Sequence, residues 1–424
     1  MRRVLAMIWA GGDDAGLLSL SRVRTKASVP FGGHYRLIDF TLSNCANSGI
    51  YNVAVLTQYL PESLKAHLGI GKPWDLDRRD GGVRLLEPYY GSAEPHWYEG
   101  TGDALARNLE VIDNERFDLV VVTAGDTVYK MDYRPLLDFH AAARAGVTLA
   151  VKEMPREQAA RYGAVRLGRG RAVVSLDDEL PAEGPAYGSL GVYVFDRPYL
   201  VKLLREVARR GGTDVVTDAV APAVTEGVAA AYLYDGYWAR VDTVDEYYAV
   251  TFECLAEQDG ACAFDDPRWP VYTRLPDDPP VKLGPHARVE NSIVADGSII
   301  NGRVENSVLF RRVYVEEGAE VRGSIVMGAA RVAGGASVDR AILDKMVVVS
   351  PGARVGADVG EARANEDFPE QLRRGVTLVG KRAQVPPGFT VGRNCVVDAG
   401  IRPNVWERFA GRTMPNGTSA GIVD

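Results

Sequence analysis

The chain has 424 residues, enough for two or three domains and for a core that needs no disulfide or metal staple. Hydrophobic residues make up 46% and charged residues 25%, which excludes global disorder and a fibrous protein. Lys and Arg number 49 against 56 Asp and Glu, a net charge of −7, so nucleic acid is not an expected partner and any anion must be held by a local site.

In chain order, Val4 to Ala10 is an apolar run ending in Gly11-Gly12, the pattern of a buried parallel strand. No small-residue cleavage site follows it, so it reads as a strand and not as a signal peptide. No apolar run is long enough to span a bilayer, and no membrane partner is expected. Tyr51 to Thr57, Leu119 to Ala124 and Val147 to Val151 are further strand candidates, with helical stretches such as 101–111 and 133–145 between them. This alternation predicts a mostly parallel sheet covered by helices. Ligands of such α/β sheets bind beyond the carboxyl ends of the strands, where Gly11-Gly12 and Gly125-Asp126 fall. The four cysteines (Cys45, Cys254, Cys262 and Cys395) include no C-x-x-C pair and read as plain thiols of a cytoplasmic protein.

The pattern changes after about residue 257. Pro-rich and Asp-rich stretches around 265–280 read as a linker, and beyond it apolar residues recur six apart. Leu283 to Val289, Ile293 to Ile299, Val315 to Val321, Val332 to Val338, Ile342 to Val348 and Val349 to Val355 are such pairs. That period is the mark of a parallel β-helix, each short rung burying one side chain. It lapses in the charged stretch Glu361 to Arg374, resumes from Val376, and leaves Met414 to Asp424 as a tail. The expected division is residues 1–257, a linker at 258–282, and a β-helix with a C-terminal extension at 283–424.

Several motifs carry a family resemblance. They are Ala10-Gly11-Gly12, Arg24-Thr25-Lys26, Val29 to Asn44, Leu56-Thr57-Gln58-Tyr59, Trp97 to Ala104, Ala124 to Tyr133, Tyr162-Gly163, Ser189 to Phe195 and Arg268-Trp269-Pro270. In order and spacing they resemble the ADP-glucose pyrophosphorylases (glucose-1-phosphate adenylyltransferases) over nearly the whole chain to about residue 356. The resemblance implies a Rossmann-like nucleotidyltransferase domain followed by a left-handed β-helix, and a homo- or hetero-oligomer, a tetramer in the family. It implies conversion of ATP and glucose 1-phosphate to ADP-glucose and pyrophosphate, feeding glycogen synthesis, with Mg²⁺.

The chemistry gives each matched residue a task. Lys26 and Asp126 are the catalytic candidates: Lys26 would neutralise a phosphate as a point charge, and Asp126 would hold Mg²⁺ on the triphosphate. Gly11 and Gly12 would let backbone approach a phosphate. Gln58, Tyr98, Gly100, Thr101 and Asp103 would hold the nucleotide, and Gly163 and Ser189 the sugar. Each has a plainer alternative: a tight turn for the glycines, a loop acid or N-cap for Asp126, a solvated lysine for Lys26. Arg22, Arg24 and Arg36 cluster near Lys26 and are candidates for a phosphate or sugar-phosphate effector, or for a solvated or salt-bridged face.

Three departures fall on the site itself. The family's G-G-x-G-T-R-L reads Gly11-Gly12-Asp13-Asp14-Ala15-Gly16-Leu17, with Asp14 for a glycine and Gly16 for the arginine. A carboxylate ~4 Å from a phosphate at an effective dielectric of ~20 costs on the order of 4 kcal/mol. The E-K-P lysine has no counterpart in Asp177 to Pro181, and the second metal-binding acid of Y-W-x-D-V-G-T is Arg240, which weakens or removes Mg²⁺ binding. Two readings stay open: an adenylyltransferase with weakened turnover, and a non-catalytic subunit that modulates an active paralogue.

Overall fold

The computed structural model describes residues 3–12, 15–88, 97–176, 184–256, 266–401 and 403–421. Asp14 and the 177–181 stretch, two of the three departures above, lie outside the described residues. The chain forms two compact units, one built from described residues of 1–13, 38–239 and 265–272, the other from those of 14–37, 240–264 and 273–424.

The first unit is built on a nine-stranded sheet. Its strands are β1 (Val4–Trp9), β2 (Asn52–Leu56), β3 (Gly82–Leu86), β4 (Leu119–Ala124), β5 (Val147–Glu153), β6 (Ala164–Leu167), β7 (Val173–Ser175), β8 (Tyr187–Asp196) and β9 (Ala229–Leu233). The order is β7-β6-β8-β4-β1-β2-β3, with β5 pairing β8 and β9. All four expected strands are present, and β4, β1, β2 and β3 run parallel. The other five, β3, β6, β7, β8 and β9, were not anticipated, and of these β8 lies antiparallel to both β4 and β5. Leu5, Met7, Val120, Val122, Leu149 and Phe195 on these strands are buried in one core.

Helix α1 (Leu37–Asn47) precedes β2, α2 (Thr101–Arg107) precedes β4, and α3 (Tyr133–Ala143) follows it. The expected helix over 101–111 is broken, since α2 ends at Arg107 and a separate turn spans Leu109–Ile112. The Asp132 side chain caps α3 by accepting from the Arg134 backbone N–H at 2.9 Å. Helix α4 (Arg197–Arg210) opens with proline at its first turn and ends at Gly211, whose φ of 68° suits glycine.

The second unit carries a parallel β-helix of three sheets, of the left-handed hexapeptide class. One inward ladder is Ile300, Val315, Val332, Val349 and Val385. The second is Val304, Val321, Val338, Val355, Val391 and Met414. The third is Leu309, Val326, Leu343, Val379, Val397 and Ala420.

These ladders correct the sequence register. Inward steps are not uniformly six, because Val321 to Val326 spans five residues, so Ile293, Ile299 and Val348 precede the inward residue instead of being it. Ile299 is accordingly 37% exposed while Ile300 is buried. The expected tail is also corrected. Thr413–Met414 pairs with Thr390–Val391 and Ser419–Ala420 with Val396–Val397, so this segment completes the last coil.

The charged stretch 361–374 is tied in by polar side chains. Asn394 Nδ2 donates to the Arg363 carbonyl at 2.6 Å, and Asn416 Nδ2 to the Glu361 carbonyl at 3.1 Å. Helix α5 (Val244–Ala256) contributes Asp245, whose carboxylate accepts from the Arg373 and Arg374 backbone N–H groups. Cys254 on α5 is disulfide-bonded, which corrects the expectation of plain thiols for that residue. Cysteine spacing alone does not report which thiols the fold brings together. Cys45 and Cys395 are free and buried.

Candidate active site

In the first unit three adjacent strands end side by side, with Trp9 opposite Leu56 on one flank and Ala124 on the other. Gly11 and Gly12 continue β1, Gln58 follows β2, and the half-buried Asp126 follows β4. The strand ends are locked together, because the Gly125 N–H donates to the Trp9 carbonyl and the Ala10 N–H to the Leu56 carbonyl, both at 2.8 Å.

Gln58 is the joint between two loops. Its Nε2 donates to the carbonyls of Gly11 (3.1 Å) and Tyr98 (3.2 Å), and its Oε1 accepts from the Tyr98 N–H at 2.7 Å. A Cβ on Gly11 would sit 3.1 Å from the Trp9 indole, so glycine serves close packing there, whereas Gly12 has ordinary room. Beside this joint, Tyr59 and Trp97 stack at 5.0 Å with planes 9° apart. Trp97 is 44% exposed, so the pair offers a flat aromatic face that the sequence reading did not assign.

The other nucleotide candidates shape the loop that carries Tyr98. Asp103 accepts from the Glu99 N–H at 3.0 Å and pairs with Arg107 at 2.7 Å. Thr101 Oγ1 accepts from the Val215 N–H at 3.0 Å. A Cβ on Gly100 would collide with the Thr213 carbonyl oxygen, so this glycine lets α2 seat against the 213–215 segment. Burial pushes the Tyr98 phenol up, against the opposing hydrogen bond from Asn108.

The sugar candidates do come together. The Ser189 N–H donates to the Gly163 carbonyl at 2.9 Å, and Gly163 has a φ of 89°, a left-handed conformation that favours glycine. Tyr162 meets Trp238 edge-on at 5.0 Å, and Trp238 Nε1 donates to the Leu190 carbonyl at 3.2 Å. These two aromatics beside the Gly163 and Ser189 pair fall within motifs of the sequence but were given no role there.

The remaining candidates belong to the second unit. Lys26 is 6% exposed and donates to Asp242 Oδ1 at 2.8 Å. Arg240 Nε donates to the same oxygen at 2.9 Å. Burial pushes the Asp242 carboxyl up, but Lys26 and Arg240 outweigh it and the group ends below the ordinary carboxylate range. Thr243 and Glu246 form a capping box at the start of α5, with Glu246 Oε2 accepting from the Asp242 and Thr243 N–H groups. Lys26 is therefore an ion-paired lysine, and Arg240 has a carboxylate partner two residues away.

Arg22 pairs with Asp398 at 2.6 Å. Arg24 is almost fully buried, its NH2 donating to both oxygens of Asp344 at 2.9 and 2.7 Å while its NH1 has no hydrogen-bond partner. Burial first, then Arg36 and Arg24, push the Lys345 ammonium down to about 7. Lys381 is lowered as well, by burial and then by Arg24. Arg24 and Arg36 thus share a cluster with two lysines more than 300 positions later, which no local sequence signal announces. Among the described residues no group of three His, Cys, Asp or Glu side chains is placed to hold a metal, and no helix is long and apolar enough to cross a membrane.

Residues 5–257 match the nucleotidyl transferase family model, and residues 281–379 match the GlmU-like C-terminal hexapeptide model. The glucose-1-phosphate adenylyltransferase of Thermomicrobium roseum is 40% identical over 100% of this chain and 99% of its own length. Those of Acetivibrio thermocellus and Thermotoga maritima are each 37% identical, over 94% and 98% of this chain and 93% and 98% of theirs.

Proposed function

Since the chain belongs to the glucose-1-phosphate adenylyltransferase family, we propose that it joins ATP and glucose 1-phosphate to give ADP-glucose and pyrophosphate. The observation that carries this reading is the convergence of Gly11-Gly12, Gln58 and Asp126 at the carboxyl ends of three adjacent strands. A phosphate oxygen of the sugar attacks the α-phosphorus, and pyrophosphate leaves with the broken bond's electrons. The protein's part is positioning and charge neutralisation. Gln58 holds the β1 and Tyr98 loops at one spacing, the Tyr59 and Trp97 face suits a purine, and Tyr162 and Trp238 wall the pair that would meet the sugar.

Asp126 fits a Mg²⁺ carried in on the triphosphate, since such an ion commonly takes one or two protein carboxylates and fills its shell with phosphate oxygens and water. When bound, the ion would neutralise charge on the departing pyrophosphate. Asp242 is less suited to it, because Lys26 and Arg240 already occupy its carboxylate.

With Gly16 in place of the triphosphate arginine and Arg240 in place of an acid, turnover is weakened. The same two residues favour the second reading, a subunit that modulates an active paralogue. Pyrophosphate release by the purified chain with ATP, glucose 1-phosphate and Mg²⁺ separates the two. Release at a rate normal for the family sinks the weakened-site reading, and none at all sinks the enzyme reading.

The effector site consists of Arg24, Arg36, Lys345 and Lys381 and takes a phosphate or sugar phosphate; Arg22 is engaged by Asp398. We place the protein in the cytoplasm, in glycogen synthesis, as a homo- or hetero-oligomer and most simply a tetramer. Light scattering that finds only a 46.0 kDa species would refute the assembly.

A further inference from the structure

Strand β5 carries both sides of the proposed sugar site. Its Val151 lies opposite Ser189 of β8 on one flank and opposite Leu233 of β9 on the other. The pairing with β9 ends one residue later, where the Tyr234 N–H donates to the Val151 carbonyl at 2.9 Å. Strand β8 departs as well, since its register against β5 shifts between Ser189 and Tyr193. Segment 234–238 closes over this opening, with Trp238 Nε1 donating to the carbonyl of Leu190 inside the shifted stretch.

Where the ladder stops, a side chain takes over. Lys152, the next residue of β5, is half-buried, and its Nζ donates to two consecutive carbonyls, Asp235 at 3.1 Å and Gly236 at 2.6 Å. Two of the three ammonium protons are thus taken by peptide oxygens, in the stronger class of hydrogen bond that a charged donor makes. The start of the segment is fixed separately, by the Tyr234 hydroxyl donating to the Lys130 carbonyl at 2.6 Å. Gly236 packs against that same hydroxyl so closely that a Cβ there would collide with it. Trp238, two residues on, is the aromatic that meets Tyr162 edge-on beside Gly163 and Ser189.

Resting on the sugar-site reading above, we propose that Lys152 is a positioning residue for the sugar substrate: by holding the Asp235 and Gly236 carbonyls it sets Trp238 against the Gly163 and Ser189 pair, and so sets the preference among hexose 1-phosphates. The lysine acts on the sugar ring through Trp238 and does not hold the phosphate. Its cross-strand neighbours explain the choice of residue. A short side chain at position 152 would not reach past the end of β9, and an apolar one would leave two carbonyls without this donor. A small displacement of a wall residue is felt in selectivity, because the ring's hydroxyls are told apart by where the wall stands.

The test compares glucose 1-phosphate with galactose 1-phosphate, which carry the same phosphate on rings that differ at one hydroxyl. Binding of each to the full chain is measured by calorimetry, and the KM for each and for ATP by pyrophosphate release. Lys152→Met should weaken glucose 1-phosphate about tenfold, leave the KM for ATP within about twofold, and narrow the preference for glucose over galactose. Lys152→Arg, whose guanidinium also reaches two neighbouring carbonyls, should restore the preference. Gly236→Ala moves the same segment and leaves the lysine's charge in place, so it should reproduce the narrowed preference even if Lys152→Met does not fold. Equal weakening of both sugars in Lys152→Met overturns the proposal, because the lysine then holds the shared phosphate. An unchanged preference in Gly236→Ala overturns it too, with the sugar site left standing. A wild type that binds neither sugar phosphate removes the sugar site, and the role of Lys152 with it.

Discussion

Replacing Asp344 with asparagine removes the carboxylate around which the second unit's cations are arranged. Asp344 is fully buried and Arg24 is 2% exposed, so the pair exchanges little with water. Breaking a buried pair by deleting one partner costs about 3–5 kcal/mol, because the surviving charge stays desolvated. Here the survivor is a guanidinium that already has one unused donor, and Lys345 and Lys381 lose their nearest acid at the same time. The upper half of that range is therefore expected. Urea unfolding of wild type, Asp344→Asn, Arg24→Met and the double variant Arg24→Met/Asp344→Leu would measure it. The double variant should be less destabilised than the sum of the single variants, since it leaves neither charge alone. A loss below ~1 kcal/mol for Asp344→Asn, or strict additivity, would refute the argument.

Lys345→Met tests the same cluster through pH. The ammonium is lowered in the folded chain to about 7 from its ordinary 10.5, so the unfolded chain binds the extra proton between those values. The penalty on the wild type is thus fully present below about pH 7 and fades as the pH climbs towards 10.5. Lys345→Met should gain stability at mildly acidic pH, and its advantage should shrink by up to ~1.4 kcal/mol per pH unit above neutrality; a constant advantage in urea midpoints would contradict this. Gln58→Ala strips the Tyr98 N–H and Gly11 carbonyl of their shared partner and should raise the KM for ATP about tenfold, with little change in the KM for glucose 1-phosphate. Gly100→Ala drives a methyl into the Thr213 carbonyl and should cost ~1–3 kcal/mol in thermal unfolding. The combined reversion Asp14→Gly, Gly16→Arg, Leu180→Lys and Arg240→Asp should raise ADP-glucose formation about tenfold or more, while Arg240→Asp alone does little because it sets a second carboxylate beside Asp242. A parent that already runs at the family's normal rate would refute the last of these.

Local pattern was enough to locate the strands that matter most for the site. Val4–Trp9, Asn52–Leu56 and Leu119–Ala124 are each a short apolar run closed by a polar or glycine turn, and a run of that kind has few ways to bury itself other than inside a parallel sheet. The β-helix was visible for a related reason, since each rung repeats one inward side chain. Its register was not, because periodicity counts apolar residues without saying which way they point. Ile299 and Ile300 are equally apolar, and only pairing with Tyr314 and Val315 turns one outward and the other into the core. The segment 413–421 looked like a tail because its rung is short, and it joins the core through ladders begun dozens of residues earlier.

Charge was the least legible property. Lys26, Arg240 and Asp242 read as separate residues of two motifs, Arg24 as a candidate effector contact, and Asp344, Lys345 and Lys381 as unremarkable charges along the chain. Whether such a group meets phosphate, a metal or a neighbour depends on its desolvation and on the nearest opposite charge. Those are set by which distant segments the fold closes together: 14–37 and 240–256 group with the β-helix and not with the sheet they adjoin in sequence. Sequence determined which residue types were present for phosphate chemistry, and tertiary structure decided which of them were already neutralised. The reason is that burial and Coulomb energy depend on distance through space, while a motif records only distance along the chain.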